Sequence, residues 1–203
     1  MIWHCGRFDF DTSTPIVMGI LNITPDSFSD GGLYLDADAA VEHALAMVDA
    51  GAAIVDVGGE STRPGSDAVD PAEEWERIGA VIAALAERGL CVSVDTRHAE
   101  VASRALAAGA SIVNDVSGFR DPAMAQVAAK SGCGCVVMHM AGEPKTMQDN
   151  PVYDDVVAEV RDYLRDRAAA LEAAGIDHSR ICIDPGPGFG KPPKQTIEPT
   201  RNL

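Results

Sequence analysis

Short apolar runs recur along the chain, and most of them end in an acid, an amide or a histidine. Residues 92–96 read VSVDT, so Val92, Ser93 and Val94 lead straight into Asp95. AAIVDV places Asp56 in or just after a similar run. SIVNDV places Asn114 and Asp115, VVMHM places His139, and ICIDPG ends on Asp184. These runs are short, β-branched and bounded by turn residues, which predicts buried strands at 16–23, 53–57, 91–95, 111–115, 135–139 and 181–184. Between them the apolar positions change period. Ile78, Val81, Ile82 and Leu85 recur at helical spacing, as do Val156, Val160, Tyr163, Leu164 and Leu171. Helices are expected near 37–50, 71–88, 98–108, 122–131 and 154–174.

The helix–strand unit repeats. ALAMVDAGAAIVDVGGE (44–60) and ALAAGASIVNDVSG (105–118) share an alanine-rich helix end, a Gly-Ala step, a β-branched run and a polar residue. AAGIDHSRICIDPG (173–186) is a looser copy. Gly51, Gly109 and Gly175 stand where a left-handed residue closes a helix. Asp70-Pro71-Ala72-Glu73 offers an N-cap, a proline at the first helical position and a capping-box acid, and Asp121-Pro122 opens another helix in the same way. The first residues, including RFDFD, predict a small hairpin over 1–14 beneath the main sheet.

Alternating strands and helices with fully apolar strands imply a parallel sheet with right-handed crossovers. An open doubly wound sheet and a (β/α)8 TIM barrel both satisfy that pattern. No G-x-G-x-x-G follows the first strand, and polar residues stand at nearly every strand end. Both facts favour the barrel, whose strand ends converge on one site. The expected architecture is therefore α/β, a single barrel domain over 1–203 with about six of eight βα units present.

Composition narrows the function. Hydrophobic residues at 46% and charged residues at 23% fit a globular domain, and few aromatics with many Ala and Val suit helices on buried strands. A net charge of −15 leaves no basic face for nucleic acid. An anionic ligand then needs a locally positive site or a bridging cation. The cysteines, Cys5, Cys91, Cys133, Cys135 and Cys182, are odd in number and form no C-x-x-C pair, so they read as buried apolar residues in a reducing cytoplasm. No signal-peptide pattern or membrane-length apolar run is present, and no membrane association is expected.

The glycine-rich loops after the first two strands sharpen the picture. NITPDSFSDGG (22–32) and GGESTRPG (58–65) would both cover one pocket on a barrel. Together with VSVDT, IVNDVSG, VMHM and DPGPGFGK they resemble, in order, the signatures of dihydropteroate synthase, over residues 18 to 191. That family is a (β/α)8 barrel of folate biosynthesis. It condenses 6-hydroxymethyl-7,8-dihydropterin pyrophosphate with p-aminobenzoate, giving 7,8-dihydropteroate and pyrophosphate, and it is the target of sulfonamides.

The resemblance implies roles residue by residue. Asp95, Asn114 and Asp184 match pterin-binding positions, and a pterin edge presents the N–H donors and carbonyl acceptor that two carboxylates and an amide can pair. Asp95 would also stabilise a cation-like pterin methylene. Asn22 matches the position that meets the pyrophosphate and its Mg2+, for which an amide oxygen is a suitable hard ligand. Thr62 would contact the diphosphate end, and Arg63 would offer a planar fork to an oxyanion as a second catalytic residue. Phe28, Pro64 and Phe189 would form the slot for p-aminobenzoate. His139 reads as a buried hydrogen-bonding residue rather than a general base. A homodimer is expected by the same resemblance.

The chain departs from the family in its last part. After the sixth strand it reads GKPPKQTIEPTRNL, with no Ser-Arg-Lys strand and no later strand bearing Arg and His. Arg63 and Lys191 are the clear cations in the recognised loops. Pro187 replaces a bulky apolar residue. Pro192, Pro193 and Pro199 crowd an atypical tail at 192–203, where Pro199 is expected to interrupt a helix. An incomplete barrel should be weak in catalysis and expose edge strands. Two other readings stand beside the leading one: a truncated, non-catalytic pterin-binding remnant, and a methyltetrahydrofolate methyltransferase domain, against which Phe28 and Arg63 argue.

Overall fold

Each apolar run becomes a strand because its β-branched residues bury on both faces of a sheet. A computed structural model describes residues 1–24, 33–61, 68–142 and 151–202, apart from the side chains of 33–36, 193, 194 and 200–202. An N-terminal hairpin, β1 (Ile2–Cys5) and β2 (Phe8–Asp11), precedes a regular alternation. The alternation runs β3 (Met18–Asn22), α1 (Leu33–Asp49), β4 (Ile54–Gly58), α2 (Pro71–Glu87), β5 (Val92–Asp95), α3 (Ala99–Ala107) and β6 (Ile112–Asp115). It continues with α4 (Pro122–Ser131), β7 (Gly134–Met138), α5 (Val156–Ala173), β8 (Ile181–Asp184) and α6 (Pro193–Asn202).

Strands β3 to β8 form one six-stranded sheet, all parallel, in unbroken sequence order. A doubly wound sheet reverses its order at a switch point; this one never does. Sequential order is the order of a barrel wall. Odd and even strand positions separate cleanly. Val55, Val57, Val92, Val94, Val113, Cys135 and Val137 pack with helix residues such as Ile78, Ile82, Leu85, Val101, Met124 and Leu164. The opposite face is filled at the strand starts by Ile54, Ile112, Val136 and Cys182, which meet Trp3 and Cys5 of the hairpin. Gly134 has no room for a side chain there, since an added Cβ would lie 2.5 Å from Cys5 Sγ. Gly6 N–H donates to Gly132 O, and Trp3 Nε1 donates to Arg180 O. The hairpin thus covers the strand-start end of the sheet, leaving the strand-finish end for chemistry.

The edge strands carry the apolar exposure. Ile20 on β3 is 64% exposed and Ile183 on β8 is 49% exposed, whereas the equivalent positions on the inner strands are covered. Among the described residues β3 and β8 each have one strand neighbour.

Helix punctuation follows local chemistry. Asp70 and Asp121 accept from Ala72 N–H and Ala123 N–H, with proline next in each helix. Gly51, Gly109 and Gly175 all adopt positive φ just past their helices. Two expectations change. Glu73 does not turn back to complete a capping box; its carboxylate pairs with Arg77 one turn on. Pro199 lies inside α6 and does not end it. A proline removes one N–H and crowds one carbonyl, which weakens a helix without necessarily stopping it. All five cysteines are free thiols. Among the described residues no helix is long and apolar enough to cross a membrane.

Candidate active site at the strand ends

Parallel register turns separate sequence motifs into one row. Asn22 pairs with Gly58, Gly58 with Asp95, and Asp95 with Asn114. These positions share one level on four adjacent strands, so their side chains share one face. Gly58 is the narrow point of that row. A Cβ there would lie 3.4 Å from Asp95 Oδ2 and 3.5 Å from Asn22 Oδ1. The missing side chain is what lets an amide oxygen and a carboxylate oxygen face the same space.

One level below, Ile20, Asp56, Ser93 and Ile112 form the next row. Asp56 is buried, and Asn114 Nδ2 donates to its Oδ2 at 2.9 Å. Asp56 Oδ1 and Ser93 Oγ are also buried but make no hydrogen bond of acceptable geometry among the described residues. Burial pushes the Asp56 carboxyl above the usual carboxylate range, against the pull of its Ser93 and Asn114 neighbours. Asp95 is pushed well above that range, first by burial and then by the negative field of Asp56, Glu74, Asp115 and Glu60. The floor of the site is thus acid-rich and incompletely satisfied, an unfavourable arrangement unless hydrogen-bond donors complete it.

Asp184 ends β8 opposite Met138. Its Oδ1 accepts from Gly186 N–H at 2.8 Å, and its backbone O accepts from His139 N–H at 2.9 Å. Phe189 lies against Val116, Met138 and Met140, making an apolar rim beside that carboxylate. Asp95, Asn114, Asn22, Asp184 and Phe189 therefore all stand at the strand-finish end. Phe28, Thr62, Arg63 and Pro64 lie outside the described residues. Sequence reasoning noticed Asp56 but gave it no role, because it sits inside a strand rather than at its end. The available signal was an acid at the centre of a strand buried along its whole length.

The turn after Asp95 is held by two acids. Glu60 accepts from Arg97 through both oxygens, at 3.1 and 2.8 Å. Glu74, fully buried, bonds His98 Nδ1 at 2.7 Å. Ligand atoms of Glu60, Glu74 and His98 lie within 4.8 Å of one another. Because Arg97 occupies both Glu60 oxygens and His98 bonds Glu74 Oε2, this cluster is a hydrogen-bonded network that anchors the turn.

His139 is buried, as expected. Its Nδ1 lacks a partner among the described residues, and its ring meets Tyr163 edge-on at 4.9 Å and 86°. Burial, then the Lys191 charge, brings its pKa down to about 4. Such an imidazole is a poor base. It also has a cost in acid. Unfolded chains protonate it near pH 6.5 while the fold does not, so its contribution is present above pH 6.5 and is lost on acidification toward 4. Wild type should lose ~3 kcal/mol more than His139→Met over that interval in urea unfolding. Parallel pH slopes for the two proteins would remove His139 from this role.

The comparisons with known proteins agree with the geometry. Residues 18–203 match the family model described as pterin binding enzyme. The dihydropteroate synthase of Neisseria meningitidis serogroup B is 47% identical over 100% of this chain and 73% of its own length. A Xanthomonas albilineans dihydropteroate synthase structure with 4-aminobenzoic acid superposes with a TM-score of 0.89 at 45% identity, covering 97% of this chain and 70% of that one. The Burkholderia cenocepacia dihydropteroate synthase complexed with 7,8-dihydropteroate gives 0.84 at 44% identity, with 94% and 65% coverage. With a barrel-ordered sheet, an acid-and-amide row at its strand ends and this degree of likeness along almost its full length, the chain belongs to the dihydropteroate synthase family of pterin-binding enzymes.

Proposed function

We propose that this chain binds 6-hydroxymethyl-7,8-dihydropterin pyrophosphate at the strand ends and joins it to p-aminobenzoate. The observation that carries the proposal is the strand-end row of Asn22, Gly58, Asp95 and Asn114, backed by a buried Asp56 that accepts from Asn114 Nδ2. A flat heterocycle edged with N–H donors would pair with the Asp95 carboxylate and the Asn114 amide oxygen, and a ligand lacking those donors would leave the acid unpaired. Asp184 supplies a further carboxylate and Asn114 the amide.

In the reaction the C–O bond between the pterin methylene and the diphosphate breaks, and both electrons leave with the diphosphate. The neutral aniline nitrogen forms the new C–N bond and then releases its proton to solvent. Asp95 stands where its negative charge would stabilise a cationic methylene. Phe189, with Phe28 and Pro64, is assigned to the aryl ring, and Thr62 and Arg63 to the diphosphate end. The solved relatives hold 4-aminobenzoic acid and 7,8-dihydropteroate, the kinds of ligand this reading assigns to the site. The same reading takes residues 1–203 as one pterin-binding unit, located in the cytoplasm and paired as a homodimer, which sedimentation would test.

Mg2+ belongs to the same reading. Asn22 Oδ1 and Asp95 Oδ2 both flank Gly58, so hard oxygen donors face one space. The Glu60–Glu74–His98 cluster suits the ion less, since it includes a nitrogen donor and Arg97 already occupies both Glu60 oxygens. When bound, the ion would neutralise charge on the departing diphosphate. Asn22→Ala should raise the Mg2+ concentration for half-maximal turnover about tenfold, while affinity for the pterin without its diphosphate stays unchanged. An unaltered Mg2+ dependence would take Asn22 out of the metal site. Calorimetric titration of the pterin pyrophosphate, followed by assay for dihydropteroate, tests the whole proposal. Binding without turnover would favour a non-catalytic pterin-binding protein.

A further inference from the structure

Lys191 stands out as a lysine only 3% exposed, although it lies in a polar loop. Its ammonium donates to His139 O at 3.2 Å, Gly186 O at 3.0 Å and Phe189 O at 3.2 Å. An ammonium has three N–H groups, and three carbonyls take them. The cation, one of the two clear ones in the recognised loops, is therefore turned inward. The three carbonyls come from two places, the end of β7 and the loop after β8. That loop has no ladder of its own, and its buried carbonyls need donors. Other bonds wrap it around the same point. Gly186 N–H reaches Asp184 Oδ1, Phe189 N–H reaches Gly186 O, and Tyr153 Oη–H reaches Gly190 O.

We propose that Lys191 is a positioning residue of the pterin site, whose buried ammonium moulds residues 185–190 and so sets where Asp184 and Phe189 meet the ligand. The inference rests on the pterin-binding reading given above. Burial brings the Lys191 pKa down to about 8, opposed by the nearby Asp184 charge. On deprotonation the amine keeps two N–H groups, so one carbonyl loses its donor. The charged or titratable groups around it are Asp184 on β8, His139 after β7, Arg120 in the loop after β6 and Tyr153 before α5. Of these, His139 is already neutral above pH 7, and Tyr153 is pushed above its ordinary value by burial.

The test uses two probes, 6-hydroxymethyl-7,8-dihydropterin and its pyrophosphate, titrated calorimetrically into wild type and Lys191→Met between pH 7 and 9.5. Wild type should weaken about tenfold for both probes as pH rises through about 8. Lys191→Met should bind both probes at least about thirtyfold more weakly at pH 7 and show no such pH step. Loss confined to the pyrophosphate would make Lys191 a diphosphate contact and overturn the proposal. Wild-type affinity for both probes in the variant would overturn it equally. If the variant does not fold, wild-type backbone amide shifts decide. Gly186 and Phe189 should move with the same pH midpoint as the affinity, and static shifts would refute the proposal. Failure of wild type to bind either probe would instead refute the pterin-binding reading itself.

Discussion

Asp95→Asn should weaken pterin-pyrophosphate binding at least about a hundredfold while leaving the protein as stable as wild type or more so. The two halves of this prediction have one cause. Burial and the negative field of Asp56, Glu74, Asp115 and Glu60 both oppose the Asp95 charge, so that charge is costly in the fold without ligand. An amide of the same shape removes that cost and keeps the turn bonded through Arg97 and His98. It also turns one acceptor oxygen into a donor, which faces the N–H groups of the pterin as a repulsive contact. Asp184→Asn should likewise weaken binding, with no stability gain, because Asp184 Oδ1 accepts from Gly186 N–H and its charge faces the buried Lys191 ammonium. Calorimetric titration and thermal melting of the same folded samples measure both halves. Wild-type affinity in Asp95→Asn would end the pterin assignment of that residue.

Gly186→Ala should cost ~2–4 kcal/mol of stability and remove pterin binding together with it. Gly186 has φ 63, a left-handed conformation that L side chains rarely hold. More decisively, an added Cβ would lie 2.1 Å from His139 O, a backbone atom that cannot swing away. Either the end of β7 or the loop after β8 must move, and Asp184, Lys191 and Phe189 move with it. Gly188→Ala is the control. It has φ 83, but a Cβ there meets nothing within 4 Å, so only about 1 kcal/mol of backbone strain is expected. Urea unfolding of both variants separates the close approach from the backbone preference. Equal losses would show that conformation alone, not contact with His139, makes Gly186 necessary.

The strands and helices were legible in the sequence because burial patterns are local. Val92-Ser93-Val94 or Ile112-Val113 can bury on both faces only as strand, and Asp70-Pro71 or Asp121-Pro122 can start a helix with no help from elsewhere. The polar strand ends were legible for a related reason. An acid after an apolar run has to be either exposed or useful, and repetition over several strands points to a shared rim. Asp95, Asn114 and Asp184 stood out this way, and the family resemblance implied roles for them and for Asn22.

What only the tertiary structure decided was which polar groups spend their hydrogen bonds on one another. Asn114 donates to Asp56 across 58 positions of sequence, and nothing local marks Asp56 as more than a strand acid. Lys191 reads as a clear cation of its loop, yet two carbonyls of that loop and one from the end of β7, 52 positions away, enclose it. The sequence places His139 in a buried position, but only the fold shows that its ring meets Tyr163 edge-on. Periodicity follows from short-range sterics and from the one-dimensional order of apolar residues, so a chain carries it openly. Hydrogen-bond satisfaction in a buried site depends on angles and distances between strands that meet only after folding, and no spacing in a sequence encodes them.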